Sequence, residues 1–596
     1  MNAILKKYWG YDSFRPFQEK IIQAILASKD SLTILPTGGG KSLCFQIPAL
    51  LKEGMAVVVS PLIALMKDQV DGLKEMGIAA DYLNSSQTGE EQQAIFEKIQ
   101  NKKIKLLYLA PERLKIESTL QLLKSVTLSF FVIDEAHCIS EWGHDFRADY
   151  RQLRFIKETF ENIPVHAFTA TATPHVEKDI VQSLNLVEPQ ITIAPIDRPN
   201  LTFRVAPRSQ AMQQIIGVLE MHKGNPGIIY CLRRADVDEI SEKLNAKGYK
   251  NVAYHAGLSD EVRRAHHEKF SREEVDIVVA TIAFGMGIDR SNIRFVIHSA
   301  MPKNVEQYQQ ETGRAGRDGL ASFCYLFHNG GDFHTWTRIL SDSAHEKIMM
   351  EKLGEMYRFC TEPRCRHQSL VRYFGQTYEK TSCEACDYCL GEMEMVADPL
   401  ILAQKILSCV IRVKERFGAD HVARVLKGDA TDNITRWGHQ NLSTFGLLKD
   451  NHASYIRSLI EQLAGQNFLK RNAEFKTLSV TELGWEILKG EKSLALVKPV
   501  VTAKKKKEIA KERKKIMEGE WSDIDQKLFQ ALREKRSELA VGKGVPAYFI
   551  FGDKSLREMA RLKPVSLKDF ALIPGVGDHK LKAYGEIFIG VIVNLS

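Results

Sequence analysis

Nowhere does this sequence offer the ~20 consecutive apolar residues that a membrane-crossing helix requires, so no membrane partner is expected. Its opening, MNAILKKYWGYDSF, lacks the apolar core and small-residue cleavage site of a signal peptide. The expected location is the cytosol (the cytosol or nucleoid of a bacterium), or the nucleus if the source is eukaryotic. Cysteine is sparse and mostly dispersed. Of ten cysteines, Cys44, Cys138, Cys231, Cys324, Cys360 and Cys409 are scattered. In a cytosolic chain this argues against a disulfide scaffold. A broad excess of positive charge is also missing. The net charge is +8, and Lys498–Met517, with nine basic and two acidic residues, supplies nearly all of it. Charge alone therefore supports a polyanionic partner only weakly, and any nucleic-acid groove must come from local patterning.

At 596 residues the chain is too long for one hydrophobic core, and about three to five domains are expected. From about residue 30 to 330, short apolar runs alternate with amphipathic stretches. Ser31–Leu35, Ala56–Ser60, Lys105–Leu109, Phe130–Asp134 and Val165–Thr169 read as buried strands. After a break at Arg198-Pro199-Asn200 the pattern restarts with Gly227–Cys231, Asp276–Thr281, Arg294–Ser299 and Phe323–Phe327. Two tandem α/β domains with parallel sheets are the simplest account. Beyond them lie a helical stretch ending in a cysteine cluster and a mostly helical segment with a β signal at Asn467–Val480. A Lys-rich linker and a small helical unit containing Ile573-Pro574-Gly575-Val576-Gly577 complete the chain.

The most informative motif is Leu35-Pro36-Thr37-Gly38-Gly39-Gly40-Lys41-Ser42, which follows a strand and opens a helix. Glycines let backbone N–H groups curl around phosphates, and the helix N-terminus adds a favourable dipole. Lys41 would reach the β- and γ-phosphates of ATP, and the Ser42 hydroxyl would bind Mg²⁺. The pattern GxxxxGK[ST] is incomplete, because Leu35 holds its first glycine position. Its partner is the apolar strand Phe130-Phe131-Val132-Ile133, which ends in Asp134-Glu135-Ala136-His137. Asp134 supplies the Mg²⁺ ligand, Glu135 orients and deprotonates the attacking water, and His137 couples the site to the rest of the molecule.

The DEAH string, Asp134 to His137, resembles the superfamily 2 helicases, and further segments narrow the match. Tyr11, Arg15 and Gln18 in GYDSFRPFQ resemble an adenine-recognition motif. Gln307 to Gly319, QYQQETGRAGRDG, resembles the arginine-finger motif, with Arg314 and Arg317 three apart and expected on one helical face. The segment directly after DEAH, Cys138–Arg147, resembles the aromatic-rich loop of RecQ helicases. In it Trp142 and Phe146 would stack on single-stranded bases, with His144 between them and Arg147 pairing with phosphate. Ser60–Gln69 resembles the backbone-contacting motif of the first domain, and Thr169-Ala170-Thr171 the motif that links the two sites. Ala280-Thr281 through Phe284–Asp289 resembles the motif sensing nucleotide and strand together.

The chain thus resembles the RecQ family of ATP-dependent DNA helicases. The fold class implied is α/β: two tandem RecA-like parallel-sheet domains, a helical zinc-binding module, a winged-helix domain and a small helical C-terminal domain of HRDC type. The expected boundaries are 1–200, 201–338, 339–396 and 397–494, then a linker at 495–520 and the last domain at 521–596. Cys383, Cys386 and Cys389 have zinc-ligand spacing, and by analogy with the family Cys365 is the fourth ligand of a Zn²⁺ site, with Cys360 as competitor. The resemblance also implies 3′-to-5′ travel on single-stranded and forked duplex DNA, in DNA repair, recombination or replication. It further implies single-strand-binding protein and topoisomerase as partners. Asn472–Phe475 would lie near a strand-separating wing tip. The Ile573–Gly577 turn either offers N–H groups to phosphate or simply joins two helices, and the Lys-rich linker is either a phosphate contact or a solvated spacer. Two other readings stand beside the DNA motor: an RNA helicase, and an ATP-regulated scaffold that never unwinds.

Overall fold

The computed structural model describes residues 1–84, 87–143, 145–285, 290–341, 345–472, 477–498 and 524–595. His144, Met286–Asp289, Ala473–Phe475 and nearly all of the Lys-rich linker, all singled out by their sequence, lie outside the described residues.

The first lobe is built on seven strands: β1 (Ser31–Ile34), β2 (Met55–Val59), β3 (Ala80–Leu83), β4 (Leu106–Leu109), β5 (Leu128–Ile133), β6 (Val165–Thr169) and β7 (Gln190–Ile193). All pairings are parallel, in the order β3-β4-β2-β5-β6-β1-β7. Helices cover both faces, and accordingly every residue of β1, β2, β4, β5 and β6 is buried. Both strands that the apolar-run reading passes over lie at the sheet edges. In β3, Asp81 interrupts the apolar run and is buried by ion pairs to Lys74 (3.0 Å) and Lys98 (2.9 Å). In β7 the outer residues Ile191 and Ile193 are exposed.

The second lobe has six parallel strands: β8 (Leu201–Pro207), β9 (Gly227–Tyr230), β10 (Asn251–Tyr254), β11 (Ile277–Ala280), β12 (Phe295–His298) and β13 (Ser322–His328). Their order is β10-β11-β9-β12-β13-β8. In the first lobe β1, which runs into the phosphate-loop motif, lies between β6 and the edge strand β7, and its carboxyl end opens onto the crevice where α/β sheets bind ligands.

The cysteine-rich module is bolted to β8. Phe203 N–H donates to Ala385 O (3.0 Å), and Asp387 N–H donates to Phe203 O (3.0 Å). Buried Arg366 pairs with Asp387 (2.9 Å), and Arg204 grips Glu392 with two nitrogens. Helices Pro399–Arg412, Ala419–Lys427, Ala453–Gly465 and Glu482–Lys489 then pack round one apolar core with the antiparallel hairpin Leu469–Arg471/Leu478–Val480. This is the winged-helix arrangement.

The last domain is helical, from Gln526–Lys543 to Asp578–Leu595, and it docks on both lobes. On the second lobe, Arg536 and Arg533 converge on Glu273, with Arg536–Glu273 at 2.7 Å. Although burial acts to raise its pKa, the three arginines Arg536, Arg290 and Arg533 hold the Glu273 carboxyl far below the ordinary carboxylate range. On the first lobe, the Ile573–Gly577 turn meets the N-terminal segment. Gly575 N–H donates to Gly10 O (3.1 Å), and a Cβ on Gly10 would lie 2.4 Å from the Val576 carbonyl carbon. Gly10 is also in the left-handed region at φ +70°, so this close approach requires glycine. The turn's Gly575 amide is thus engaged inside the chain.

Candidate active site

After β1 the chain turns through Pro36–Gly40, with Gly38 at φ +84° and Gly40 at φ +81°, and Lys41 opens the helix Lys41–Leu51. Both glycines adopt a backbone that a side chain would strain, so the turn requires glycine at these positions. Leu35, at the vacant glycine position, is buried and belongs to the core of the lobe rather than to the loop's open side.

Lys41 Nζ reaches the acidic cluster at the end of β5, lying 3.3 Å from Glu135 Oε1. Glu135 sits at φ +49°, a left-handed conformation rare for a side-chain-bearing residue. Its Oε2 is 3.3 Å from His137 Nδ1, which in turn is 3.0 Å from Thr169 Oγ1, and Thr169 donates to Thr171 O (3.1 Å). A continuous polar chain therefore runs from the phosphate-loop lysine to the TAT segment. Burial, with Lys41 nearby, pushes the His137 pKa down to about 3, so the imidazole in this chain is neutral. Burial also raises Asp134 to about 6, opposed by Lys41. A divalent cation would reverse that shift, and a carboxylate at the end of β5 beside Lys41 suits one.

The adenine-motif residues close over the loop from the other side. Gln18 Nε2 donates to Gly39 O (3.0 Å), Gln18 Oε1 accepts from Arg15 N (2.9 Å), and Arg15 Nη1 donates to Gly38 O. Tyr11 is exposed, beside the docked Gly575 turn.

From the second lobe, the segment after helix Val305–Thr312 abuts the same loop. A Cβ on Gly38 would lie 3.3 Å from Arg317 Cα, and one on Gly313 3.4 Å from Thr37 Cβ. The helix stops at Thr312, so Arg314 and Arg317 stand in the irregular turn that follows and do not share the helical face expected of them. Gly316 at φ +57° bends this turn. Arg314 is buried and hydrogen-bonds the Tyr230 phenol, whose hydroxyl donates to Phe284 O (2.9 Å). It is thereby joined to the Phe284-Gly285 segment.

The aromatic-rich loop projects directly from this centre. Trp142 and Phe146 are exposed at 38% and 39%, which removes them from the core that aromatic pairs ordinarily occupy. Trp142 packs edge-on against His175 (4.4 Å). Arg147 donates to Pro61 O (2.7 Å) and Asp145 (3.3 Å), tying the loop to the Ser60–Gln69 motif. Sequence reasoning missed Lys352. Its Nζ donates to Trp142 O (2.6 Å) and pairs with Glu306 of the second lobe, an anchor that no local pattern around Lys352 announces.

The sulfur atoms of Cys365, Cys383, Cys386 and Cys389 all lie within 4.8 Å of one another. A tetrahedral zinc with ~2.3 Å Zn–S bonds needs sulfurs on the order of 3.8 Å apart, so the four fit. Amide N–H groups of Gln368, Ala385 and Cys389 point at Cys365, Cys383 and Cys386 sulfur (3.5, 3.4 and 3.4 Å), favouring thiolates. Cys360 lies buried in the apolar core instead, where desolvation raises its thiol pKa, and it is not the fourth ligand.

Comparison with known proteins agrees. Family models match in sequence: DEAD/DEAH box helicase over 15–180, helicase conserved C-terminal domain over 208–319, RecQ zinc-binding over 330–390, RQC domain over 395–505 and HRDC domain over 525–592. The chain is 42% identical to the ATP-dependent DNA helicase RecQ of Pasteurella multocida, across 99% of its own length and 93% of the relative's. The chain belongs to the RecQ family. It is likewise 39% identical to the RecQ helicase of Bacillus subtilis over 99% of this chain and 97% of that one. With a RecQ helicase's domains present in order, the chain is an ATP-hydrolysing helicase of RecQ type that binds zinc through its four-cysteine cluster. Among the described residues no helix is long and apolar enough to cross a membrane.

Proposed function

We propose that this RecQ helicase couples one ATP, shared between the two lobes, to stepping along single-stranded DNA. The observation that carries the reading is the apposition of Gly38 and Thr37 with Arg317 and Gly313 across the interlobe cleft. In this scheme the Gly38–Lys41 loop binds the triphosphate with Thr37, and Lys41 neutralises the β- and γ-oxygens. Ser42 and Asp134 would hold Mg²⁺, which would supply charge neutralisation at the phosphates. Glu135, oriented by His137, takes the proton of the attacking water. Arg314 and Arg317 complete the site from the second lobe, while Tyr11, Arg15 and Gln18 receive the adenine. Arginine suits that task because it remains charged and presents a planar fork.

Release of the phosphate-borne bridge would let the lobes part. Trp142 and Phe146, with Arg147 and His144, would hold the strand between steps. Movement is proposed to run 3′ to 5′ on single-stranded or forked DNA, with Ser and Thr hydroxyls and backbone amides gripping phosphates without reading sequence. Family resemblance extends the proposal to repair, recombination and replication in the cytosol or nucleoid, with single-strand-binding protein and topoisomerase as partners.

The exposed rings give a direct test. Each of Trp142→Ala and Phe146→Ala removes a stacking platform worth about 1–3 kcal/mol per base, which corresponds to roughly 5- to 150-fold weaker single-strand affinity. Anisotropy titration of a labelled oligonucleotide, with half-maximal ATPase stimulation measured in parallel, should show both shifts together. Wild-type values in both variants would remove the rings from the DNA path. Unwinding assays on forked DNA and RNA duplexes with either tail separate the DNA motor from the RNA and scaffold alternatives.

A further inference from the structure

Between the two sheets the chain runs from β7, ending at Ile193, to β8, beginning at Leu201, and in this connector stands Arg198. Its guanidinium touches both lobes at the nucleotide cleft. Nη1 donates to Thr37 O in the phosphate loop, while Nη2 donates to Gly316 O (2.8 Å) and Ala315 O (3.2 Å) in the arginine-bearing turn. Nε donates to Asn200 Oδ1 (3.3 Å), and Asn200 Nδ2 braces the same turn through Gly316 O and Leu320 O (3.0 Å each). A Cβ added to Gly38 would lie 3.4 Å from Arg198 Nη1 and 3.3 Å from Arg317 Cα, so strut, loop and turn form one contact.

This guanidinium donates to four neutral oxygens, three of them backbone carbonyls and the fourth the Asn200 side-chain amide. Arg317 and Arg15 stand nearby as like charges, with Asp318 as the compensating carboxylate. Burial first, and Arg317 next, lowers the Arg198 pKa to about 10, still fully charged at neutral pH. A side chain placed only to pair charges would seek a carboxylate, as Arg204 does with Glu392. Arg198 instead measures the spacing between two main-chain segments, one from each lobe, that carry the opposed halves of the proposed ATP site. Only a planar fork with several donors in fixed geometry can do this at once. Its connector is also anchored from behind, because Asp197 pairs with His367 Nδ1 (2.6 Å) of the cysteine-rich module.

We infer that Arg198 is a positioning residue of the ATPase, setting the register of the Arg314/Arg317 turn against the phosphate loop so that the two lobes close on one nucleotide. The inference rests on the shared-nucleotide reading above. Without the strut the loop still binds ATP through first-lobe groups, but the arginines close out of register. Misplacement on the order of 1 Å at a reacting centre can cost about 10²-fold in rate.

The test compares Arg198→Ala, Arg198→Lys and Lys41→Ala in the full-length chain, measuring steady-state ATP hydrolysis on saturating single-stranded DNA and thermal melting. For Arg198→Ala the expected result is a kcat lowered by about 10²-fold with KM for ATP within about threefold of wild type. Arg198→Lys, which keeps the charge but cannot span both lobes, should remain at least tenfold impaired. Wild-type kcat in either Arg198 variant overturns the inference, as does a defect confined to KM or full rescue by lysine. If Arg198→Ala melts early, Arg198→Lys carries the test by the same criteria. Normal turnover in Lys41→Ala would instead strike the shared-nucleotide reading itself, so the two failures are distinguishable.

Discussion

Lys41→Ala is expected to lower ATP turnover by at least about 10²–10³-fold and to abolish unwinding, while single-stranded DNA is still bound. The magnitude follows from what the residue does. Its ammonium stands at the end of the phosphate loop, 3.3 Å from Glu135, so removing it deletes a cation of the first lobe's half-site. The loop's φ angles, set by Gly38 and Gly40, do not depend on the lysine, and neither does the exposed Trp142 loop. Hydrolysis, strand separation and oligonucleotide anisotropy on one preparation check all three parts. Turnover within tenfold of wild type would remove Lys41 from the chemistry, and loss of DNA binding would mean that the loop and the DNA path are not separable as described.

The second large effect concerns zinc. Cys386→Ser should abolish stoichiometric zinc and destabilise the module and the adjoining second lobe by more than about 4 kcal/mol, because structural zinc contributes about 10–16 kcal/mol in small modules. Cys386 is fully buried, and its neighbours Ala385 and Asp387 form the backbone bridge to Phe203 in β8. Losing the metal therefore loosens a sheet edge as well as a surface knuckle. The cross-links Arg366–Asp387 and Arg204–Glu392 keep some of that bridge, so the module should loosen before the remaining lobe unfolds. Zinc content by atomic absorption, with thermal melting, decides the matter. Cys365→Ser should likewise lose zinc while Cys360→Ser retains it, and a reversal of those two results would reassign the fourth ligand.

Much of this architecture is legible in the residues because its strands are buried on both faces. A parallel strand covered by helices must be apolar throughout, and β1, β2, β4, β5 and β6 announce themselves that way. The edge strands escape the same reasoning: β3 carries Asp81, whose charge is compensated by Lys74 and Lys98 from the helices on either side of the strand, 7 and 17 residues away, and β7 faces outward. Within the site, spacing brings out residues that act through local geometry, such as the phosphate loop, the DEAH string and the three close cysteines. It cannot bring out a partner that arrives from elsewhere in the chain. The Trp142–Lys352 anchor spans 210 positions, and Arg198 joins positions 161 and 118 residues away. At the level of sequence Arg198 is merely the residue before a proline, a mark of a break between domains. The docking of the last domain is hidden for the same reason, since Arg536 and Glu273 find one another only after both have folded. The helical placement of Arg314 and Arg317 went astray differently: a three-residue spacing suits a helix equally well as a turn bent by Gly316.

A structure of the chain with a non-hydrolysable ATP analogue and magnesium would put the whole account at risk in one measurement. The terminal phosphate should lie within hydrogen-bonding distance of Lys41 Nζ and of at least one guanidinium from Arg314 or Arg317. An analogue held by the first lobe alone, with both arginines turned away and the cleft still shut, would contradict it.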